Sequence, residues 1–226
     1  MAVLAKAPVP GRVKTRLCPP LTPAQAAELA RAALLDTIEA CSASAAREVV
    51  VILDGSPRPW MPAGIRVIAQ RQGDLGNRLL GAVVDLDGRC LVVGMDTPQL
   101  TADLIDDGLR ALDGEGCDAV LGPALDGGYW AIGLGRADSG AFDGVPMSQP
   151  DTGRHQRAAL DRLGLRVRTL RTLRDVDDHA DAVAVAAEAP TTRFARALAE
   201  LGPLPSSRDA TGSPTRSPTT GTESRR

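Results

Sequence analysis

Residues 1–17 read M-A-V-L-A-K-A-P-V-P-G-R-V-K-T-R-L. A short apolar run opens the stretch, a loop with two prolines and a glycine follows, and a strongly helical segment comes next. Pro8 and Pro10 fix φ and deny the loop a helix. Gly11 permits a tight turn or a close backbone approach to a ligand. Lys6, Arg12, Lys14 and Arg16 stand among residues 5–17 with no acidic residue beside them. A strand, a stiff basic loop and then a helix predict an anion site, where backbone N–H groups and cations converge on phosphates. The loop matches neither the Walker A pattern nor G-x-G-x-x-G. The competing reading of the same residues is a solvated basic loop.

Outward from this stretch, strands and helices alternate. Thr22-Pro23-Ala24-Gln25 reads as a capping box with Pro23 at the first helical position. It opens a helix over 26–42 in which Leu29, Ala33 and Ile38 share one buried stripe. Apolar runs predict strands at 49–53, 65–69, 90–93, 119–121, 129–134 and 167–170. Helices are expected after Gly73-Asp74-Leu75-Gly76 as far as 85, from the N-cap Thr101 to 112, and over 154–163 with Gly164 as the stop. Two more follow, one opened by Asp175-Val176-Asp177 and running through 189, the other over 192–201. Residues 135–152 read as a long loop. The expected fold is α/β with a mostly parallel sheet. From 202 onward Pro, Ser, Thr, Gly and Arg replace any hydrophobic period, so a disordered tail, 202–226, follows one domain, 1–201.

Composition narrows the function. With 43% hydrophobic residues in a chain of 226, one full-sized core is expected. Aromatics are only 2%, too few for stacking platforms along a single strand of nucleic acid. A net charge of −2 argues against general nucleic-acid or anionic-membrane binding, so the basic loop reads as a local site for a small anion. Four widely spaced cysteines without C-x-x-C read as reduced thiols in a cytoplasmic protein, not a zinc site. No apolar run approaches the ~20 residues of a membrane span.

In an open α/β sheet, ligands bind at the carboxyl ends of strands. Lys14 and Arg16, Gly73 to Gly76, Asp96, and Asp175 with Asp177 all fall at predicted strand ends or helix starts. Asp96 follows a buried run and precedes Thr97-Pro98, a place for a carboxylate ligand of Mg²⁺, which takes oxygen donors and keeps waters. Asp177 is the candidate second ligand, although Asp also caps helices well. Asp175 and Asp178 are read as turn or cap residues. The Asp126-Gly127-Gly128 turn is a candidate for orienting a substrate. No G-x-S-x-G or H-E-x-x-H occurs, which disfavours the hydrolases built on those motifs.

These motifs together carry a resemblance. A-K-x-P-x-P-G-x-V-K-T-R-L, G-D-L-G-x-R-L, G-x-D-x-P-x-L-T, L-G-P-A-x-D-G-G-Y and L-x-D-V-D occur in this order between about Val3 and Ala182. The set resembles a bacterial family of GT-A-like proteins in the nucleotide-diphospho-sugar transferase superfamily. It is similar to the 2-phospho-L-lactate guanylyltransferases and, more remotely, to the molybdenum-cofactor guanylyltransferases. The resemblance implies a three-layer GT-A sandwich that binds a nucleotide, with Mg²⁺ near Asp96. It implies a nucleotide pocket drawn from Ala5, Lys6, Gly11, Lys14, Arg16, Gly73, Asp74 and Gly76. Met95, Met147-Ser148-Gln149 and Asp178-His179-Ala180-Asp181 depart from the family pattern, and they concern the acceptor pocket more than the nucleotide pocket.

Three functions fit. The first is nucleotidyl transfer from a nucleoside triphosphate to a small phosphate or phosphonate, with Lys14, Arg16 and Asp96 as the catalytic residues. The second is glycosyl transfer from a nucleotide sugar. Such enzymes commonly carry D-x-D at the metal, whereas this chain has one Asp in Met95-Asp96-Thr97, and they do not need a basic loop for a γ-phosphate. The third is nucleotide binding without catalysis. No nucleic-acid or membrane partner is expected.

Overall fold

The computed structural model describes residues 1–57 and 60–202. The expected tail lies outside the described residues, apart from Gly202. The apolar runs form strands because a strand covered on both faces needs no polar side. β1 (Ala2–Lys6), β2 (Val50–Asp54), β4 (Cys90–Gly94), β5 (Ala119–Pro123) and β6 (Tyr129–Leu134) are buried along most of their length. β3 (Arg66–Ala69) and β7 (Val167–Thr169) are partly exposed and form the edges. The order across the sheet is β3-β2-β1-β4-β6-β5-β7. Leu4 of β1 lies opposite Ile52 on one side and Gly94 on the other, both pairings parallel. Only β6 runs against its neighbours, β4 and β5. The order reverses between β1 and β4, and the connections leaving those strands diverge there, which opens a crevice at their carboxyl ends.

Alternate strand residues feed opposite layers. Val3, Val51, Leu53, Leu91 and Val93 pack with Ala27, Ala30 and Leu34 of α1 (Pro23–Ala43) and with Ile105 and Leu112 of α3 (Ala102–Asp113). Their neighbours Ala2, Val50, Ile52, Cys90 and Val92 pack with Leu79, Ala82 and Val83 of α2 (Leu75–Asp85) and Leu160 of α4 (Thr152–Arg162). The result is the expected three-layer sandwich. Its Val, Leu and Ile side chains each contribute about 1.5–3 kcal/mol when fully buried.

Local signals hold where the chemistry is local. At α1 the Gln25 N–H donates to Thr22 Oγ1 at 3.3 Å and the Thr22 N–H to Gln25 Oε1 at 2.8 Å, which completes the capping box. Three expectations change. Leu29, Ala33 and Ile38 do not share one stripe. Leu29 and Ala33 join a separate core with Val185 of α5 (His179–Glu188) and Phe194 of α6 (Arg193–Glu200), while Ile38 faces the sheet. An Ala-rich helix can be buried on two sides, so no single face marks its partner. The helix expected to open at 175 begins at His179. Asp178 is its cap, accepting from the Asp181 N–H at 3.0 Å, and Asp181 accepts in return from the Asp178 N–H, so 175–177 stay outside the helix. The long loop contains a short 3-10 turn, Ser139–Phe142, that buries Phe142. Among the described residues all four cysteines are free, and no helix is long and apolar enough to cross a membrane.

Candidate functional site

The basic loop leaves β1 and is tied down at once, with the Ala7 N–H donating to Asp54 O at 2.8 Å. Gly11 turns it at φ +75°. Val13 and Leu17 are buried, and between them Lys14 adopts the left-handed region at φ 49° before a 3-10 turn at Thr15–Leu17. With its neighbours anchored this way, the Lys14 side chain points inward and is only 8% exposed. Its ammonium lies 2.7 Å from Asp96 Oδ1 and also donates to the Val176 carbonyl. Arg16 stays 77% exposed, with Nη1 3.4 Å from Asp177 Oδ2. The reading of a purely solvated loop does not describe Lys14.

Two chain segments bring the carboxylates. Asp96 leaves β4, and the Val176 N–H donates to the Asp96 carbonyl at 2.9 Å, which fastens 175–177 beside it. Val176 is fully buried in the core of α1, α5 and α6, while Asp175 and Asp177 both line the cleft on the other side. That is the i, i+2 alternation of extended chain. Asp175 Oδ1 is buried without a hydrogen-bond partner, as is the Thr97 hydroxyl. Burial pushes the Asp175 carboxyl up to about 7, helped by the charges of Asp96 and Asp126 and opposed by Lys14. Burial also raises Asp177, while Lys14 works against the shift.

These groups share one cleft of about 760 Å³ at the carboxyl edge of the sheet. Ala5, Lys6, Lys14, Arg16, Asp96, Asp126, Gly128 and Asp177 line it. Gly11, Gly73, Asp74, Gly76 and Gly127 are not part of its lining, and local structure uses each of the last four. Asp74 caps α2, accepting from the Asn77 N–H at 2.9 Å. Gly73 has φ +124° and a Cβ there would fall 2.8 Å from Asn77 Cβ. Gly76 packs under Met147, whose Cε would lie 3.3 Å from an added Cβ. Gly127 has φ +88°, and a Cβ would lie 1.7 Å from the Pro150 carbonyl oxygen.

Asp175, expected as a turn or cap residue, lines the cleft instead, and so do Gln70 and Arg78, which are not among the expected site residues. The alternation within Asp175-Val176-Asp177 was the available signal for Asp175. Gln70 belongs to no motif. It sits past β3, its amide donating to Ala5 O at 2.7 Å and Ile52 O at 3.0 Å, which bridges the ends of β1 and β2. Arg78, the arginine of G-D-L-G-N-R, donates to Gly73 O at 3.0 Å and so stiffens the turn before α2.

Among the described residues no three His, Cys, Asp or Glu side chains stand close enough to hold a metal ion by themselves. The donor set nevertheless suits Mg²⁺, which binds through one or two carboxylates and completes its shell with water and substrate phosphates. Burial raises Asp175 and Asp177, and the neighbouring carboxylates that add to it also call for positive charge at this spot.

Comparisons agree with this architecture. A family model described as "uncharacterized protein conserved in bacteria (DUF2064)" matches residues 24–149. No curated relative matches the chain. Among solved structures, a presumed nucleotide-diphospho-sugar transferase from Desulfovibrio desulfuricans G20 is 27% identical, with a TM-score of 0.79 over 88% of this chain and 93% of that one. A CMP:2-keto-3-deoxy-manno-octonic acid synthetase complexed with CTP is 15% identical, with a TM-score of 0.54 over 82% and 95%. The manganese complex of Rv0371C from Mycobacterium tuberculosis H37Rv is 17% identical, with a TM-score of 0.51 over 81% and 96%. The fold is the one implied by the sequence resemblance.

Proposed function

The chain belongs to the DUF2064 family and is a transferase of the nucleotide-diphospho-sugar transferase fold; within that class we propose that it is a Mg²⁺-dependent nucleotidyltransferase. In the proposed reaction an acceptor phosphate or phosphonate oxygen attacks the α-phosphorus of a nucleoside triphosphate. The bond from that phosphorus to the oxygen bridging to the β-phosphorus breaks, and pyrophosphate leaves with the electron pair. Alignment and charge neutralisation carry such chemistry, with no protein nucleophile.

One observation carries the reading. Lys14, nearly buried, contacts both Asp96 and the Val176 carbonyl, so a basic loop and two carboxylate segments meet at one point of the cleft. In this reading Lys14 and Arg16 hold the triphosphate and neutralise the departing pyrophosphate. Ala5 and Lys6 receive the nucleotide over β1, and Gly11, Gly73, Asp74 and Gly76 shape the loops beside it. Asp96 and Asp177 hold Mg²⁺, which when bound supplies Lewis-acid neutralisation of phosphate oxygens. Asp126, Gly127 and Gly128 form the acceptor side.

The test is pyrophosphate release with each nucleoside triphosphate against a panel of phosphorylated and phosphonate acceptors. Consumption of a nucleotide sugar with release of a nucleoside diphosphate would replace this reading by glycosyl transfer, which the likeness to the D. desulfuricans protein favours. Nucleotide binding without turnover of any kind would leave the non-catalytic reading.

A further inference from the structure

The cleft changes sign along the sheet. On the side of β3, β2 and β1 its charged lining is Arg78, Lys6, Lys14 and Arg16. On the side of β4 and β6, with the segment after β7, it is Asp96, Asp126, Asp175 and Asp177. Among the described residues no lysine or arginine lines that second half beyond Lys14 and Arg16 at its border.

The polar groups left free there are mostly hydrogen-bond acceptors. Asp126 Oδ1 accepts from the Gly128 N–H at 2.8 Å, and Oδ2 has no protein donor among the described residues. Asp175 Oδ1 is buried without a partner. The Thr97 hydroxyl is also without a partner in a residue only 1% exposed, although it lines the cleft. Two donors nearby are spent, the Tyr129 hydroxyl on Gln156 Oε1 at 3.1 Å and the Thr152 hydroxyl on Pro146 O at 2.8 Å, while Ser148 and Gln149 line the cleft as exposed residues. An unpaired buried acceptor such as Asp175 Oδ1 is costly, so a group that covers it and Asp126 gains by bringing donors. A second anion over Asp126 and Asp175 would meet carboxylates that no lysine or arginine pairs with among the described residues, whereas Asp96 and Asp177 face Lys14 and Arg16.

From this segregation we infer that the acceptor is a phosphomonoester or phosphonate whose body carries hydroxyl groups or an ammonium and no second anionic group. The inference rests on the proposed transfer only for the acceptor's phosphate. Its reacting phosphate lies at the border, within reach of Lys14 and Arg16, and its body lies over Asp126 and Thr97.

The experiment measures binding to the full chain, with Mg²⁺ and a non-hydrolysable nucleoside triphosphate, by saturation-transfer NMR and calorimetry. Glycerol 3-phosphate and glucose 1-phosphate supply hydroxyls, phosphoethanolamine an ammonium, and phosphoglycolate and phosphoenolpyruvate a carboxylate. At least one hydroxyl or ammonium probe is expected to bind tenfold or more tightly than either carboxylate probe, and Asp126→Lys to shrink or reverse that gap. Equal binding of the two groups, preference for the carboxylates, or no binding by any hydroxyl or ammonium probe overturns the inference. So does an unchanged gap in Asp126→Lys. Pyrophosphate release reads the transfer separately. Binding in the expected order without pyrophosphate defeats transfer and leaves the acceptor class standing. Pyrophosphate release with carboxylates preferred does the opposite.

Discussion

Lys14 is held in the left-handed region at φ 49°, almost out of water, against a carboxylate and a carbonyl. Arg16, two residues on, reaches Asp177 from solvent. The two should therefore behave differently on truncation. Lys14→Ala leaves Asp96 and the Val176 carbonyl without their donor, and is expected to cost about 1–3 kcal/mol of stability as well as nucleotide affinity. Arg16→Ala should change stability by no more than about 1 kcal/mol, as exposed pairs do, while still weakening nucleotide binding. Urea unfolding beside nucleotide titration separates the two; equal stability losses would contradict the burial argument. Cysteine reactivity is a second residue-scale test. Burial pushes Cys41 up to about 12 and Cys90 up to about 11. Raised values leave little thiolate at pH 8, and the thiolate is the reactive form. A thiol reagent at pH 8 should thus label at most two of the four cysteines in the folded protein, Cys18 and Cys117, and all four after denaturation.

At the scale of elements, helix ends and turns are fastened by contacts remote in the chain. Asp36 of α1 accepts from the Arg193 N–H at 3.0 Å and the Phe194 N–H at 2.8 Å, and so caps α6 from a neighbouring helix. Asp36→Ala would strand the buried Phe194 N–H and the partly buried Arg193 N–H, and remove a carboxylate from a helix N-terminus. A loss of about 3 kcal/mol is expected in denaturant unfolding. A loss under half of that would show that the α1–α6 core, not the cap, holds the element. The turn before β6 is held by close backbone approach. Gly127→Ala combines a positive φ with an impossible contact at Pro150 O, so it should displace the Pro150 loop and cost more than about 2 kcal/mol. Acceptor-dependent turnover should fall with it.

For the whole molecule, the expectation concerns how metal and nucleotide arrive. No ready-made metal cluster exists among the described residues, and Lys14 already neutralises Asp96. Mg²⁺ alone should bind weakly, and Mg²⁺ with nucleotide should bind together. Asp96→Asn should lower turnover by about a hundredfold or more with the fold retained, and Asp177→Asn by less. Wild-type turnover in excess chelator, or full activity in Asp96→Asn, would remove the metal and with it the proposed mechanism. What could be read before folding was what short windows encode. Apolar runs marked the strands, Thr22 and Gln25 the start of α1, and the basic loop and Asp96 the ends of β1 and β4. Those signals depend on backbone geometry within a few residues. The tertiary structure alone decided which face of α1 meets which core, that β6 inserts antiparallel between β4 and β5, that Gln70 bridges two strand ends, and that Asp175 faces the cleft. It also turned Lys14 inward onto a carbonyl 162 residues away. The reason is physical: burial and charge pairing are set by segments distant in the chain, and no local window contains both partners.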